Sequence, residues 1–333
     1  MKALVTGGTG FLGRRLAVRL RDAGWEVTAM ARQDGPRDML HAEGIRFLQR
    51  DLRSSEQVNE ACAGHDAVFH CGARSASWGM YRDFYETNVK GTEHVIGGCI
   101  RHGVERLIHV STPSVCFGSA HRLNVRETDP LPARQASPYA ATKLLAEEAV
   151  QRAAANGLGA VVIRPRAIFG PGDTSILPRL IAANAQRGVP LIDKGSALID
   201  LTYVDNVVDA LLLCQQAPAH CNGRIYHITN GEPMPFAEAA ERLFRSLGQP
   251  LRAKPLPFAA AYAAAFLMEA AARLLPGDRE PMLTRAVAGM IGRSQTLDIS
   301  AARRDLGYHP GVSIDEGLNA YAAWWRERGR HGS

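Results

Sequence analysis

Ala3-Leu4-Val5-Thr6-Gly7-Gly8-Thr9-Gly10-Phe11-Leu12-Gly13 is the stretch that decides the fold. Its first four residues carry no charge and run into glycines, which reads as a short buried strand. The periodic stretch 11–23 then reads as a helix opened by Phe11 and Leu12. Between them stands G-x-x-G-x-x-G at Gly7, Gly10 and Gly13, overlapping G-x-G-x-x-G at Gly8, Gly10 and Gly13. A strand-to-helix turn of this type needs glycine three times. One makes the tight turn, one admits a pyrophosphate to the backbone, and one lets the helix pack on the strand. The helix N-terminus adds unpaired N–H donors and a partial positive charge. A glycine triplet alone is weak evidence. Set between a first strand and a first helix, it reads as a dinucleotide phosphate loop.

The pattern continues outward. Further strands are expected at 26–30, 45–48, 67–70, 106–110 and 160–163, and helical patterns separate most of them. Such alternation predicts a parallel sheet with helices on both faces and right-handed crossovers. The fold class is therefore α/β: a Rossmann-type doubly wound parallel sheet with a smaller, mostly C-terminal substrate lobe. After Pro165 the loops lengthen, with Gly170-Pro171-Gly172, Gly188-Val189-Pro190 and Gly231-Glu232-Pro233. Loops of this kind build pockets over the carboxyl ends of strands. Residues 1–165 are assigned to the dinucleotide domain, with 200–230 returning to it. Residues 166–199 and 231–325 are assigned to the lobe.

The chain has 333 residues, 46% hydrophobic and 22% charged, as in ordinary globular proteins. The net charge of +6 reads first as a diffuse arginine excess. An anionic ligand, such as a phosphorylated cofactor, is the sharper reading. No basic run interleaves with aromatics, so nucleic acid is not expected as a partner. Six cysteines are scattered without a C-x-x-C pair or a histidine cluster at zinc spacing. They read as apolar fillers in a reducing compartment, with no metal site. Met1-Lys2 leads straight into the first strand, which a cleavable leader would destroy. A cytoplasmic protein is the expectation. Residues 256–275 are rich in Ala, Phe, Leu and Met, close to the ~20 apolar residues that cross a bilayer. Glu269 and Arg273 interrupt them, and Pro255, Pro257 and Pro276 bracket them. A buried or pocket-lining helix is the first reading, and peripheral membrane contact the second.

The second strand selects the cofactor. It ends Met30-Ala31-Arg32, with no carboxylate for a ribose 2′-hydroxyl. Arg32, with Arg14 or Arg37 nearby, suits a 2′-phosphate. NADP(H) is therefore favoured, with NAD(H) as the alternative. Asp51-Leu52 follows the third strand, where a carboxylate can accept from the adenine amino group. Cys71-Gly72-Ala73 follows the fourth, where small residues admit the cofactor.

Ser137-Pro138-Tyr139-Ala140-Ala141-Thr142-Lys143 begins a helix. Ser137 suits the N-cap and Pro138 the first helical position. Tyr139 and Lys143, four apart, share one face. A free phenol with pKa ~10 is a poor proton catalyst at neutral pH. A neighbouring ammonium and the positive nicotinamide are expected to bring it down. Strand 106–110 ends in Ser111-Thr112-Pro113-Ser114, and a hydroxyl there can hold a substrate carbonyl beside Tyr139. Counting along the strand favours Thr112, with Ser114 as the runner-up. The bland role for either is to cap a strand-end turn.

The sequence resembles the extended short-chain dehydrogenases/reductases along nearly its whole length. The resemblance rests on Thr6-Gly7-Gly8-Thr9-Gly10-Phe11-Leu12-Gly13, the Tyr139/Lys143 pair, and Asn88-Val89-Lys90-Gly91-Thr92. It extends to Arg164-Pro165 before Gly170-Pro171-Gly172-Asp173 and to Tyr203-Val204-Asp205-Asn206. It implies Tyr139 as proton donor and acceptor, and Lys143 orienting the nicotinamide ribose and lowering the tyrosine pKa. It also implies Asn88 supporting the helix or a relay water, Pro165 and Ile168 bordering the nicotinamide, and a homodimer. Val68-Phe69-His70-Cys71-Gly72-Ala73-Arg74, Ser111-Thr112-Pro113-Ser114-Val115 and the segment around Ile199 resemble the 3β-hydroxysteroid dehydrogenase-like branch. That branch includes 2-alkyl-3-oxoalkanoate reductases and sterol 4α-carboxylate 3-dehydrogenases. Ile199 stands where sugar-nucleotide enzymes of the superfamily commonly carry a diphosphate-binding arginine. The implied function is oxidoreduction between 3-oxo and 3-hydroxy groups on a hydrophobic small molecule. A nucleotide-sugar epimerase or dehydratase is the alternative. A non-catalytic cofactor sensor is disfavoured, because Tyr139 and Lys143 are both present.

Overall fold

The computed structural model describes residues 1–33, 37–118, 120–274 and 280–331. Seven strands form the main sheet: β1 (Lys2–Thr6), β2 (Glu26–Ala31), β3 (Arg46–Gln49), β4 (Ala67–His70), β5 (Arg106–Val110), β6 (Ala160–Pro165) and β7 (Ile225–Ile228). Their order is β3-β2-β1-β4-β5-β6-β7, and every pairing is parallel. The order reverses between β1 and β4, which opens a crevice at their carboxyl ends.

Alternation along each strand sends neighbouring side chains to opposite faces. Val5, Phe69 and Ile108 join one core with Leu16 and Leu20 of helix α1 (Phe11–Asp22). Leu4, Val68 and Leu107 join the other, with Val95 of α2 (Gly91–His102) and Val150 of α3 (Pro138–Ala155). Helix α4 (Val204–Gln216) packs beside α1, contributing Val207 and Leu211. Both faces of the central strands are thus buried, which is why these strands read as continuous apolar runs.

The lobe has its own core around Phe169, Tyr203, Phe244 and Tyr321, with α5 (Phe236–Leu247) supplying Phe236, Ala239 and Leu243 from one face. A four-stranded sheet runs Met234–Pro235, Leu198–Ile199, Gln295–Leu297, Arg122–Val125. Strand Arg122–Val125 falls inside the 1–165 stretch yet pairs with the lobe, because its partner Gln295–Leu297 arrives from far along the chain.

The apolar segment forms α6 (Phe258–Leu274), followed by α7 (Arg285–Gly292); Leu275 and Pro276 lie outside the described residues. Only Ala261, Ala265 and Glu269 of α6 are buried, so it is a helix laid on the surface, not a core helix. No described helix is long and apolar enough to cross a membrane. All six cysteines are free. Among the described residues no group of three His, Cys, Asp or Glu could hold a metal ion.

Candidate active site

The phosphate loop is built by crowding. Gly7 has φ of +67°, and a Cβ there would fall 2.8 Å from the Gly72 Cα. A Cβ on Gly13 would lie 2.3 Å from the Gly7 carbonyl oxygen. Each position therefore requires glycine, and the loop is drawn against the turn that follows β4. The Gly72 N–H donates to Thr6 Oγ1 at 3.1 Å. Gly10 precedes α1 in extended conformation and no side chain caps the helix, so its first N–H groups remain available to an anion. A Cβ on Gly72 would meet Leu52 at 2.9 Å, which places Leu52 over the same turn. The residues present fit a dinucleotide cofactor.

The cations expected beside β2 are not equivalent. Arg32 is exposed just past the strand. Arg14 is already bound to Glu43 at 2.6 Å, so it is not a free partner for a phosphate. Arg37 opens the short helix Arg37–Ala42. Asp51 accepts from Arg53 Nη2 at 2.6 Å, and this bond holds its carboxyl below the usual range. Pro165 closes β6 at the carboxyl edge of the sheet, and Ile168 starts the next short strand just past it. Phe11 opens α1 and packs near Gly172, while Cys71 and Ala73 flank Gly72.

Ser137 caps α3 by accepting from the Ala140 N–H at 3.2 Å, with Pro138 in the first turn. Tyr139 is half-buried and its hydroxyl lies close to the Thr112 side chain. Thr112 also accepts from the Ser114 N–H at 3.2 Å, and its hydroxyl donates to Ser114 Oγ at 3.0 Å. Thr112 thus fills both roles, capping the turn and touching the phenol. Ser114 stands one hydroxyl further out. Ser111 is engaged elsewhere, donating to buried Glu147.

Lys143 is engaged at the end of β5. Its Nζ donates to the Val110 carbonyl at 2.8 Å and lies 3.1 Å from His109 Nε2. Burial pulls its pKa down to about 8, against the attraction of Glu147. Burial pushes the Tyr139 phenol up to about 12, partly offset by the neighbouring Thr112 hydroxyl. The strand end and His109 hold the ammonium, so among the protein's own groups burial dominates at Tyr139.

Behind the pair runs a buried polar layer. His109 and His70 are cross-strand partners with ring centres 5.1 Å apart. His70 bonds Thr6 at 2.7 Å and Thr92 at 2.9 Å, and Thr92 donates to the Asn88 carbonyl at 2.6 Å. Asn88 lies in a π-helical turn, Tyr85–Lys90. Its amide accepts from the Arg74 N–H at 2.8 Å and donates to Thr142 Oγ1 at 3.1 Å. It therefore ties the post-β4 loop to α3. Glu147, one turn beyond Lys143, pairs with Arg164 at 2.5 Å, both almost fully buried. His109 and Glu147 escaped the sequence reading. The available signal was a polar residue inside Leu107-Ile108-His109-Val110 and an acid four residues after Lys143.

A cavity of about 880 Å³ opens beside α3, reaching Ser137 and Pro138, the two residues before Tyr139. Trp78, Tyr262, Arg134 and Arg273 line it. Ile199 is buried in the lobe core, so no cation stands at that position.

The NAD dependent epimerase/dehydratase family profile matches residues 3–229. A 2-alkyl-3-oxoalkanoate reductase from Stenotrophomonas maltophilia is 40% identical over 328 residues, covering 97% of this chain and 99% of the relative. The mouse sterol-4-alpha-carboxylate 3-dehydrogenase, decarboxylating, is 32% identical over 330 residues, covering 95% and 89%. The solved structure of MoeE5 in complex with UDP-glucuronic acid and NAD aligns with a TM-score of 0.78 at 25% identity, covering 98% of this chain and all of that one. With the phosphate loop, the parallel sheet and the Tyr139–Lys143 helix in place, the chain belongs to the NAD dependent epimerase/dehydratase family and carries the extended short-chain dehydrogenase/reductase framework.

Proposed function

We propose that the chain is an NADP(H)-preferring oxidoreductase that interconverts a 3-oxo and a 3-hydroxy group on a hydrophobic small molecule. The observation that carries this reading is the placement of Tyr139 against Thr112 at the end of β5, directly after Ser137 and Pro138, which line a cavity of about 880 Å³. When bound, the nicotinamide supplies or accepts the hydride. Tyr139 holds the proton that the substrate oxygen gains on reduction and returns on oxidation. Thr112 orients that oxygen, a contribution of ~2–4 kcal/mol for a well-placed donor. Lys143, held at the strand end by the Val110 carbonyl and His109, would orient the nicotinamide ribose.

The cavity supports a choice of substrate. Glu269 is neutralised by Arg285 at 2.8 Å, which leaves Arg134 and Arg273 as the excess charge among the described lining residues. That balance suits the carboxylate of a long-chain 2-alkyl-3-oxoalkanoate better than a neutral sterol. Buried Ile199 offers nothing to a diphosphate, which counts against sugar nucleotides. Arg32, exposed just past β2 in Met30-Ala31-Arg32, a strand end without a carboxylate of its own, supports NADP(H).

The test is turnover of a long-chain 2-alkyl-3-oxo acid with NADPH and with NADH. Reduction to the 3-hydroxy acid with higher kcat/KM for NADPH is expected. Tyr139→Phe should lower kcat by ~10²–10⁴-fold while NADPH still binds. Near-native turnover by that variant would overturn the assignment of Tyr139. A preference for NADH would overturn the reading of Arg32. Turnover of a UDP-sugar instead would favour the epimerase alternative.

A further inference from the structure

The sheet face under α2 and α3 turns polar one layer before the strands end. Leu4, Val68 and Leu107 lie side by side on it and are apolar. Two residues on, the same face carries Thr6, His70 and His109, again cross-strand neighbours in one row. All three are buried. Counting protons fixes the direction of their hydrogen bonds. Thr92 gives its one hydroxyl proton to the Asn88 carbonyl at 2.6 Å, so it accepts from His70 Nε2–H at 2.9 Å. His70 Nδ1 is then a lone pair, and the Thr6 hydroxyl donates to it at 2.7 Å. His70 is therefore neutral, with both ring nitrogens satisfied.

His109 is not satisfied. Its Nε2 lies 3.1 Å from Lys143 Nζ, and an ammonium has only hydrogens to offer. Nε2 must accept, so Nδ1 carries the ring proton. That Nδ1–H is buried without a partner, and His70 beside it has no lone pair left to give. A bare buried N–H is destabilising, so a leucine such as Leu107 would serve the packing better. What the ring supplies at this position is one neutral acceptor, and it is spent on Lys143.

Lys143 is the one buried lysine of five. The Val110 carbonyl takes one of its three N–H groups and His109 a second. The ionisable groups around it are Glu147 on its own helix, Cys71 after β4, His70 on β4 and His109 on β5. Glu147 is committed to Arg164 and Ser111. Cys71 is a neutral thiol, pushed up to about 12 by burial, and both histidines are held neutral by burial. Val110 acts through its main chain, so His109 is the side chain that sets where the ammonium sits. We propose that His109 is the positioning residue of Lys143: its neutral imidazole takes one ammonium N–H and, with the Val110 carbonyl, leaves the third for the nicotinamide ribose. The inference rests on the reading of Lys143 given above. His109 acts only through the lysine.

Lysine labelled with ¹³C lets the five side chains be followed by NMR in the cofactor-free full chain, and Lys143→Met identifies the signal of Lys143. In the parent it should titrate at about pH 8. His109→Leu should move that titration down by about one pH unit or more, because the charged form loses an acceptor. His109→Gln, whose amide oxygen accepts, should restore most of the shift. Calorimetry should show NADPH binding ~10-fold weaker in the leucine variant and close to the parent in the glutamine variant. ¹⁵N-histidine spectra of the parent chain should show His109 as the neutral Nδ1–H tautomer from pH 5 to 7. A charged ring or an Nε2–H tautomer would overturn the inference even where the leucine variant does not fold. So would a Lys143 titration unmoved in His109→Leu, or equal losses of NADPH affinity in the leucine and glutamine variants. Lys143→Met binding NADPH as tightly as the parent would instead overturn the reading of Lys143, and the inference with it. That failure is distinct, because the titration shift in His109→Leu would remain.

Discussion

Thr112 shows how much one residue can leave open. The sequence offers Ser111, Thr112 and Ser114 in four positions at the end of a strand, and all three are chemically able to hold a carbonyl. Which one does so depends on where each side chain leaves the strand end, and that is a matter of dihedrals. Ser111 turns inward to Glu147, Thr112 turns to Tyr139, and Ser114 backs Thr112. Replacing Thr112 with valine keeps the shape and removes the hydroxyl. Steady-state kinetics should show kcat falling by ~10²–10³-fold with little change in cofactor affinity. Ser114→Ala should lose much less. Equal losses from the two would reassign the contact. The electrostatic state of Lys143 was also illegible in sequence. Its ammonium is held by a main-chain carbonyl and by His109 on another element, which no local spacing encodes.

At the scale of elements, the loop between β1 and α1 is the clearest. Its glycines act through their own backbone and through neighbours a few residues away, so sequence order nearly equals spatial order. A methyl group at Gly13 would collide with the Gly7 carbonyl oxygen at 2.3 Å. Gly13→Ala must therefore open the loop, and calorimetry should show NADPH binding at least ~10-fold weaker. The sheet should persist, so far-ultraviolet circular dichroism should be unchanged. Affinity equal to that of the parent chain would mean that the loop can relax without cost. Helix α6 is the opposite case. Its composition alone permits a core helix or a surface one. Only the packing of Ala261, Ala265 and Glu269, and the inward ion pair to Arg285, leaves Leu267 and Leu274 outside.

At the scale of the whole molecule, the two cores and the lobe are joined by buried polar groups whose protonation couples to folding. Burial drives His70 and His227 down to about 3. The unfolded chain binds those protons near pH 6.5 and the folded chain does not. Their contribution to stability is therefore fully present above pH 6.5 and is lost as pH falls through that value toward 3. Each histidine can cost up to about 1.4 kcal/mol per pH unit across that window. Urea denaturation at pH 7, 5.5 and 4.5 should show a falling midpoint, and His70→Gln should flatten the fall. A midpoint independent of pH between 7 and 4.5 would contradict the neutral burial of these rings. The sequence by itself determined the parallel sheet, the phosphate loop and the Tyr139–Lys143 helix, because each is written in periodicity or in spacings of a few residues. Tertiary structure alone decided that Thr112 meets Tyr139 and that His109 and Glu147 surround Lys143. It also decided that Arg122–Val125 belongs to the lobe and that α6 turns an apolar face outward. Those outcomes depend on which surfaces far apart in the chain bury one another, and hydrophobic burial carries no record of direction in a local pattern.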